Sequence, residues 1–369
     1  MALVSRADRA EAPVPVPVLD DGLVPRLHRE LEEFFAHAPD TAPEVAGALA
    51  DLVLAGGKRV RPTFAWWGWR AAGGPVRGPE ADATVRALVA LELLQGGALV
   101  HDDVMDRSAT RRGRPTAHAA FAARHHRARW AGDSRHYGDS VAILVGDLAL
   151  VWADDALAAA GLDAAALARA REPWRAMRTE MIAGQHLDLL AGARREESLE
   201  KALRVARLKT AAYTVERPLH LGAALAGAPP ELVGALRSYG RDVGVAFQLR
   251  DDLLGVFGDT AITGKPVGDD LREGKRTALM ALALGLARLA RRPHAARLLR
   301  DCLEGGGVSD RTVDEVAGLL RDLGAVDAVE ERIAALVEQA LRAIDGAGLD
   351  EQVRLALGAL ATGATGRRW

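Results

Sequence analysis

A chain of 369 residues, 49% hydrophobic and 27% charged, is long enough to bury one large core or two smaller ones. Its formal net charge of −2 gives no electrostatic reason to expect a nucleic-acid partner. The one cysteine, Cys302, excludes an intrachain disulfide framework and any cysteine-rich zinc site, and suits a reducing, cytoplasmic setting.

Residues 1–21 alternate proline with valine, which favours polyproline II, and their early acids do not fit a signal peptide. A disordered or extended arm is expected there. From 22 to 369 the expectation is a single all-α domain, because Ala and Leu dominate, apolar residues recur at helical spacing and β-branched alternation is nearly absent. Helices are expected over 23–38 and 43–55, the second capped by Thr41, before Gly56-Gly57 breaks the chain ahead of Lys58. The next helix, from about Val60, carries Trp66, Trp67 and Trp69 as core or subunit-interface packing. Residues 79–106 read as one unusually long helix, fit for the centre of a bundle. The basic, His-rich stretch 124–138 reads as an irregular loop. Its surroundings supply His118, His125, His126 and His136 but no carboxylate or cysteine at zinc-ligand spacing. Helices follow over 140–160, 173–190, 199–226 with a kink at Pro218, and 230–257, then in close succession from 275 to 361. No uncharged apolar stretch approaches the ~20 residues of a membrane-spanning helix.

The chemistry concentrates in Leu99–Pro115, LVHDDVMDRSATRRGRP. Asp102 and Asp106 fall one helical turn apart, with Asp103 on the shoulder, and Arg111, Arg112 and Arg114 follow at once. The chain has five Asp-Asp pairs, so a pair alone signals only a solvated acidic turn. Here an apolar helix leads in and an arginine cluster leads out. Crowded carboxylates call for a cation, and guanidinium groups suit an anion such as diphosphate. A second set lies at Gly244–Asp252, GVAFQLRDD, where Gln248, Asp251 and Asp252 share a helix face. The position matching Asp106 is Gly255, and Asp259 lies a further turn on, ~12 Å from Asp251. Magnesium tolerates two carboxylates, because it keeps waters and bridges to phosphate oxygens. Only five of 48 basic residues are lysine, and no asparagine occurs, a bias that fits GC-rich coding. Four of those lysines, Lys58, Lys209, Lys265 and Lys275, sit in these motifs, three of them beside glycine.

Taken together, GGKRVRP, HDDVMD followed by TRRGRP, GQHLD, Lys209-Thr210, FQLRDD, GKP and GKRT resemble the trans-type polyprenyl diphosphate synthase family, geranylgeranyl diphosphate synthases among them. The resemblance spans at least Gly56 to Thr277. It implies a large helical bundle around a central cavity, usually homodimeric, and Mg2+ held by Asp102, Asp103, Asp106, Asp251 and Asp252. It implies isopentenyl diphosphate on Lys58, Arg61 and Arg112, and an allylic diphosphate around Arg111, Lys209, Thr210, Gln248, Lys265 and Lys275. Many members have histidine where this chain has Gln95, which can still donate to a phosphate oxygen.

The implied reaction is head-to-tail prenyl transfer through ionisation of the allylic C–O bond. Product length is expected to follow Gly97 and Ala98, which carry no bulky ring, and then Leu94 and Leu91 deeper along the same helix. Geranylgeranyl diphosphate is the expected product. Two alternatives stand beside it: a terpene cyclase, which would not need Lys58, Arg61 and Arg112, and a non-catalytic partner subunit, which Gly255 alone favours.

Overall fold

The computed structural model of the chain describes residues 21–39, 42–111, 113–259, 267–304 and 308–366. Residues 1–20 of the arm expected over 1–21, and the cap expected at Thr41, lie outside them; Asp21, the arm's last residue, is held by Trp66 Nε1 at 3.2 Å and Arg70 Nε at 3.1 Å. Three short helices open the fold: α1 (Leu23–Ala36), α2 (Pro43–Leu54) and α3 (Val60–Ala71). The long helix α4 (Pro79–Asp106) follows within its expected bounds. A two-residue hairpin, β1 (Thr110–Arg111) with β2 (Arg114–Pro115), turns the chain after the acids.

The His-rich stretch is not an irregular loop. It forms the last turn of α5 (Ala117–Ala128) and the start of α6 (Ser134–Ala158). Phe121 and His125, one turn apart, supply the buried stripe of α5. His125, Trp130 and Tyr137 then cluster across the short connection, Trp130 meeting Tyr137 edge to face at 5.4 Å between ring centres. The Asp133 carboxylate caps α6 by accepting from the His136 N–H at 2.7 Å. Apart from His125, the basic residues that suggested a loop keep to the more exposed face.

Helix α7 (Ala164–Ala193) begins earlier than its Pro173 suggested, because Asp163 caps it by accepting from the Ala166 N–H at 2.7 Å. The helix expected over 199–226 is three pieces: α8 (Leu199–Val205), a π-helical stretch (Ala206–Glu216) and α9 (Arg217–Leu225). Pro218 has no N–H for the carbonyl one turn back, which loosens the ladder where the wide stretch ends. The remaining helices are α10 (Pro230–Phe257), α11 (Asp269–Arg272), α12 (Ala278–Leu289), α13 (Pro293–Leu303), α14 (Asp310–Asp322), α15 (Ala325–Asp345) and α16 (Glu351–Thr365).

Two apolar clusters hold these helices together. One gathers α1 to α7, α9 and the first half of α10; the other gathers the second half of α10 with α12 to α15. Trp66, Trp67 and Trp69 belong to the first, as core packing. Helix α4 packs along α6, and α10 packs along α15 and the π-helical stretch. By length and composition Pro79–Met105 would pass for a membrane span, contrary to the sequence expectation, but 78% of its apolar window is buried by its neighbours. It is the central core helix.

Helices α3 and α9 cross at contact distance. A Cβ on Gly222 would lie 1.7 Å from the Ala65 carbonyl oxygen, and one on Gly68 would lie 2.2 Å from that of Leu219. Gly222→Ala is therefore expected to force the helices apart and cost about 1–3 kcal/mol, read as a lower denaturation midpoint. An unchanged midpoint would show that this crossing is looser than its geometry.

Candidate active site

A cleft of about 400 Å3 opens between the end of α4 and the second half of α10. On one wall α4 presents Asp102, the π-helical stretch presents Lys209 and Thr210, and α7 presents Asp188. On the other, α10 presents Gln248, Asp251 and Asp252, α11 presents Asp270, and the segment entering α12 presents Lys275. Lys58 reaches the cleft from the loop before α3. Close backbone contact places the π-helical stretch: a Cβ on Gly184 of α7 would lie 2.2 Å from the Lys209 nitrogen, and one on Gly244 of α10 would lie 2.7 Å from Ala211.

Lys209 Nζ bridges Asp102 at 3.1 Å and Asp188 at 2.7 Å. Burial pushes the Asp102 carboxyl upward, but the ammonium of Lys209, helped by Lys275 and Arg111, holds it below its usual value. Lys275 Nζ ties the walls together, with Glu273 at 2.6 Å, Asp270 at 3.4 Å and Asp106 at 3.9 Å. Burial opposes its charge, yet Asp270, Glu273 and Asp106 raise its pKa above the usual lysine value. Asp106 is less well compensated: burial, then repulsion from Asp102, lifts its pKa to about 6. Asp252 accepts from Gln248 Nε2 at 2.8 Å and from the Ala278 N–H at 3.1 Å. Burial, with repulsion from Asp270 and Asp251, still pushes it up to about 7.

Asp103 does not stand with Asp102 and Asp106. A step of one residue turns it about 100° round the helix, and its buried carboxylate takes the Arg111 guanidinium from two sides, at 2.7 Å to Nη2 and 2.9 Å to Nε. Asp103 anchors the hairpin, and Arg111 reaches Asp102 only at 3.6 Å. Arg112 and Lys265 lie outside the described residues. Arg61 and Gln95 do not line the cleft; both contact Tyr213, from α3 and α4 respectively.

Of the positions expected to gauge product length, Leu91 and Leu94 are fully buried in the first core cluster and Ala98 is half-buried beside it. Gly97 faces α6 rather than an open passage, since a Cβ there would lie 3.0 Å from the Gly146 carbonyl and 3.2 Å from Ala149. Its role in the structure is close helix packing.

The donor set suits a hard divalent cation: the acidic side chains lining the cleft offer hard carboxylate oxygens, and burial raises the pKa of Asp252 among them and of Asp106 beside them. Among the described residues no three potential ligand side chains converge on one point. Asp102, with Asp106 a turn away, and Asp251, Asp252 and Asp270 on the other wall would thus hold ions whose charge they balance.

A sequence profile described as polyprenyl synthetase matches residues 42–319. The chain belongs to the polyprenyl synthetase family. The geranylfarnesyl diphosphate synthase of Aeropyrum pernix is 34% identical over 312 residues, covering 84% of this chain and 88% of that one. The geranylgeranyl diphosphate synthase of Mycobacterium tuberculosis is 36% identical over 276 residues, covering 70% of this chain and 72% of that one. The crystal structure of a geranylgeranyl pyrophosphate synthase from Corynebacterium glutamicum, complexed with isoprenyl diphosphate and magnesium, matches with a TM-score of 0.89. Its identity is 46%, over 95% of this chain and 99% of that chain. This chain is accordingly a trans-prenyltransferase with the isoprenyl synthase fold.

Within this prenyltransferase, Gly255 is not a gap in the acidic wall. A Cβ there would lie 1.9 Å from Asp270 Oδ2, so the Asp270 carboxylate occupies the space a third aspartate on α10 would enter. Sequence reading missed Asp270, Glu273 and Asp188. The first two follow the quoted GKP, and Asp188 closes GQHLD, so the motifs held the signal without its geometry. Gly255→Asp is expected to bring no gain in turnover, because the new side chain must displace Asp270; steady-state rates across a magnesium titration check this.

Asp106 and Asp252 are raised above the unfolded value of 3.8. An acid shifted in that direction stabilises the metal-free fold at low pH. The contribution disappears as pH climbs through about 6 and then 7. Metal-free Asp252→Asn should therefore melt above the parent protein at pH of about 8, with the gap closing towards about 4. Melting curves recorded in chelator test this, and a gap independent of pH would contradict the raised pKa.

Proposed function

We propose that this chain condenses isopentenyl diphosphate head-to-tail with an allylic diphosphate, depends on Mg2+, and releases geranylgeranyl diphosphate. The observation that carries the reading is the pair of facing acidic walls, Asp102 and Asp106 opposite Asp251 and Asp270, joined across the cleft by Lys275. When bound, the metal ions supply the positive charge that favours departure of the allylic diphosphate.

The protein's own groups complete the reading. Lys209 and Lys275 already lie at the ends of the acidic walls, and they donate to the diphosphate as its charge grows. Thr210 and Gln248 present a hydroxyl and an amide to the same cleft, dipoles that favour cationic carbon beside them. Lys58 holds the second diphosphate at the opposite margin, which sets the isopentenyl double bond against the ionising carbon. Loss of a proton from C2 of the isopentenyl unit closes the new double bond, with the departing diphosphate as acceptor. No side-chain nucleophile takes part. The partner-subunit reading rested on Gly255, and Asp270 fills that position in space. The geranylgeranyl assignment is supported by relatives bearing that name at 36% and 46% identity.

A homodimer belongs to the same reading. Ile143, Leu144 and Val151 on α6 and Ile182 and Leu189 on α7 are exposed apolar side chains, the kind of surface a second copy covers. A cytoplasmic location rests on composition.

Purified protein with magnesium, labelled isopentenyl diphosphate and, in turn, dimethylallyl, geranyl or farnesyl diphosphate should yield a geranylgeranyl product. Asp102→Ala should lower the rate on the order of a thousandfold. Ala98→Phe should shorten the product towards farnesyl, whereas Gly97→Phe should destabilise the α4–α6 contact instead. Longer products from the parent protein would overturn the chain-length assignment, and no product with any primer would overturn elongation itself.

A further inference from the structure

The basic, His-rich stretch takes no part in the chemistry above. Helix α5 ends where Arg129 adopts the left-handed conformation, φ 53°, and the Trp130 N–H closes onto the His125 carbonyl at 3.3 Å. That turn leaves Trp130 43% exposed, while the rings of His125 and Tyr137 meet it edge to face. Arg124 lies over the same indole at 5.5 Å and is held by Glu44 at 2.5 Å. Around the tryptophan Arg127, Arg129 and Arg135 are exposed, and among the described residues no carboxylate pairs with them. Asp133 is the one acid between Arg124 and Tyr137, and it is occupied in capping α6. A chain of net charge −2 thus carries four arginines and one aspartate on a single exposed turn.

Its position in the bundle is a second, independent observation. His101 Nε2 lies 3.1 Å from the Ile143 carbonyl, and Arg86 Nε donates to the Ala160 carbonyl at 2.9 Å, so α4 and α6 run antiparallel. From the level of that histidine, the last residue of α4 lies about 8 Å further on and the first residue of α6 about 14 Å. The basic turn therefore stands at the same end of the bundle as the acidic cleft. The exposed apolar side chains of α6 begin at Ile143, about two helical turns beyond Arg135.

We propose that this turn docks the protein on an anionic lipid surface and brings the cleft end of the bundle to it. Unpaired guanidinium groups complement lipid phosphates, and their aliphatic stems tolerate the headgroup region. An exposed indole, apolar in its body and polar at its N–H, suits the boundary between headgroups and acyl chains. One such ring without an apolar helix face gives shallow, reversible attachment rather than insertion. Each arginine near an anionic surface adds a small increment, and three together strengthen attachment on the order of a hundredfold. A nucleic acid fits less well, because a long polyanion would also meet the acidic remainder of the chain. The docking surface stands apart from the elongation reading, which adds a purpose to it: a product with a hydrocarbon tail leaves the cleft beside lipid.

Sedimentation of the full chain with vesicles, in the absence of substrate, tests this. The protein should pellet with equimolar phosphatidylcholine and phosphatidylglycerol and stay in solution with phosphatidylcholine alone. Added salt should release it, because it screens exposed charges. Combining Arg127→Gln, Arg129→Asn and Arg135→Gln should weaken the partition on the order of a hundredfold, with the melting midpoint and turnover of soluble substrates at parental values. Asparagine suits the left-handed backbone at the second of these positions. A parent protein that ignores anionic vesicles, equal binding to neutral ones, or a triple variant that binds as the parent does would each overturn the proposal. Capture of a duplex DNA oligomer in place of vesicles would assign the turn to nucleic acid and overturn it too. If the variant fails to fold, the salt series on the parent decides, since binding indifferent to salt overturns an electrostatic dock. No arm of the test uses elongation, so a chain that binds vesicles but makes no product defeats the elongation reading alone.

Discussion

Six aspartates line one cleft with four basic residues, and much of the surrounding structure serves to hold that charge in place. Carboxylates crowded in a partly dry space repel one another strongly, and burial alone would drive them to take up protons. Asp102 escapes this because Lys209 sits against it; Asp106 and Asp252 escape it less well. Three of the six, Asp102, Asp251 and Asp252, sit on the long, deeply packed helices α4 and α10, so their charges cannot relax by moving apart. A site that cannot relax its own repulsion favours whatever cation can enter it.

The lysines show how that charge is managed. In a chain that uses arginine almost everywhere, Lys209 and Lys275 each hold a compact ammonium between carboxylates from different elements. An ammonium can exchange one oxygen for another without the planar matching that a guanidinium prefers. Arginine takes the fixed roles instead: Arg111 locks the hairpin onto Asp103, and Arg59 locks the loop before α3 onto Glu92. Lys201, outside every motif, pairs with Glu196 at the surface and illustrates the same residue without a site.

The parts of this arrangement legible in the sequence were those whose meaning is local. Helical spacing gave α4 and α10 to the residue and put Asp102 one turn before Asp106. The illegible parts depend on a neighbour distant in sequence. Nothing near Gly255 says that Asp270 will fill its space, and nothing near Gly97 says that the Gly146 backbone will press against it. The His-rich stretch misled because its mostly exposed basic residues hid the buried stripe that His125 shares with Phe121 just before it. The π-helical stretch carries no marker except Pro218 and the glycines on α7 and α10 that let it approach.

Substrate binding can be viewed as an exchange of ionic partners. In the free protein Lys209 and Lys275 are neutralised by Asp102, Asp188, Asp270 and Glu273, so neither ammonium nor carboxylate bears the full cost of burial. On the proposed reading, a diphosphate would bring negative charge to the lysines as its accompanying cations brought positive charge to the aspartates. Each group then changes partner rather than losing one, and the net charge of the cleft alters little. A diphosphate arriving without cations would have to compete with the carboxylates for the lysines, and cations arriving alone would have to compete with the lysines for the carboxylates. On the proposed reading, that competition would make the two ligands depend on each other.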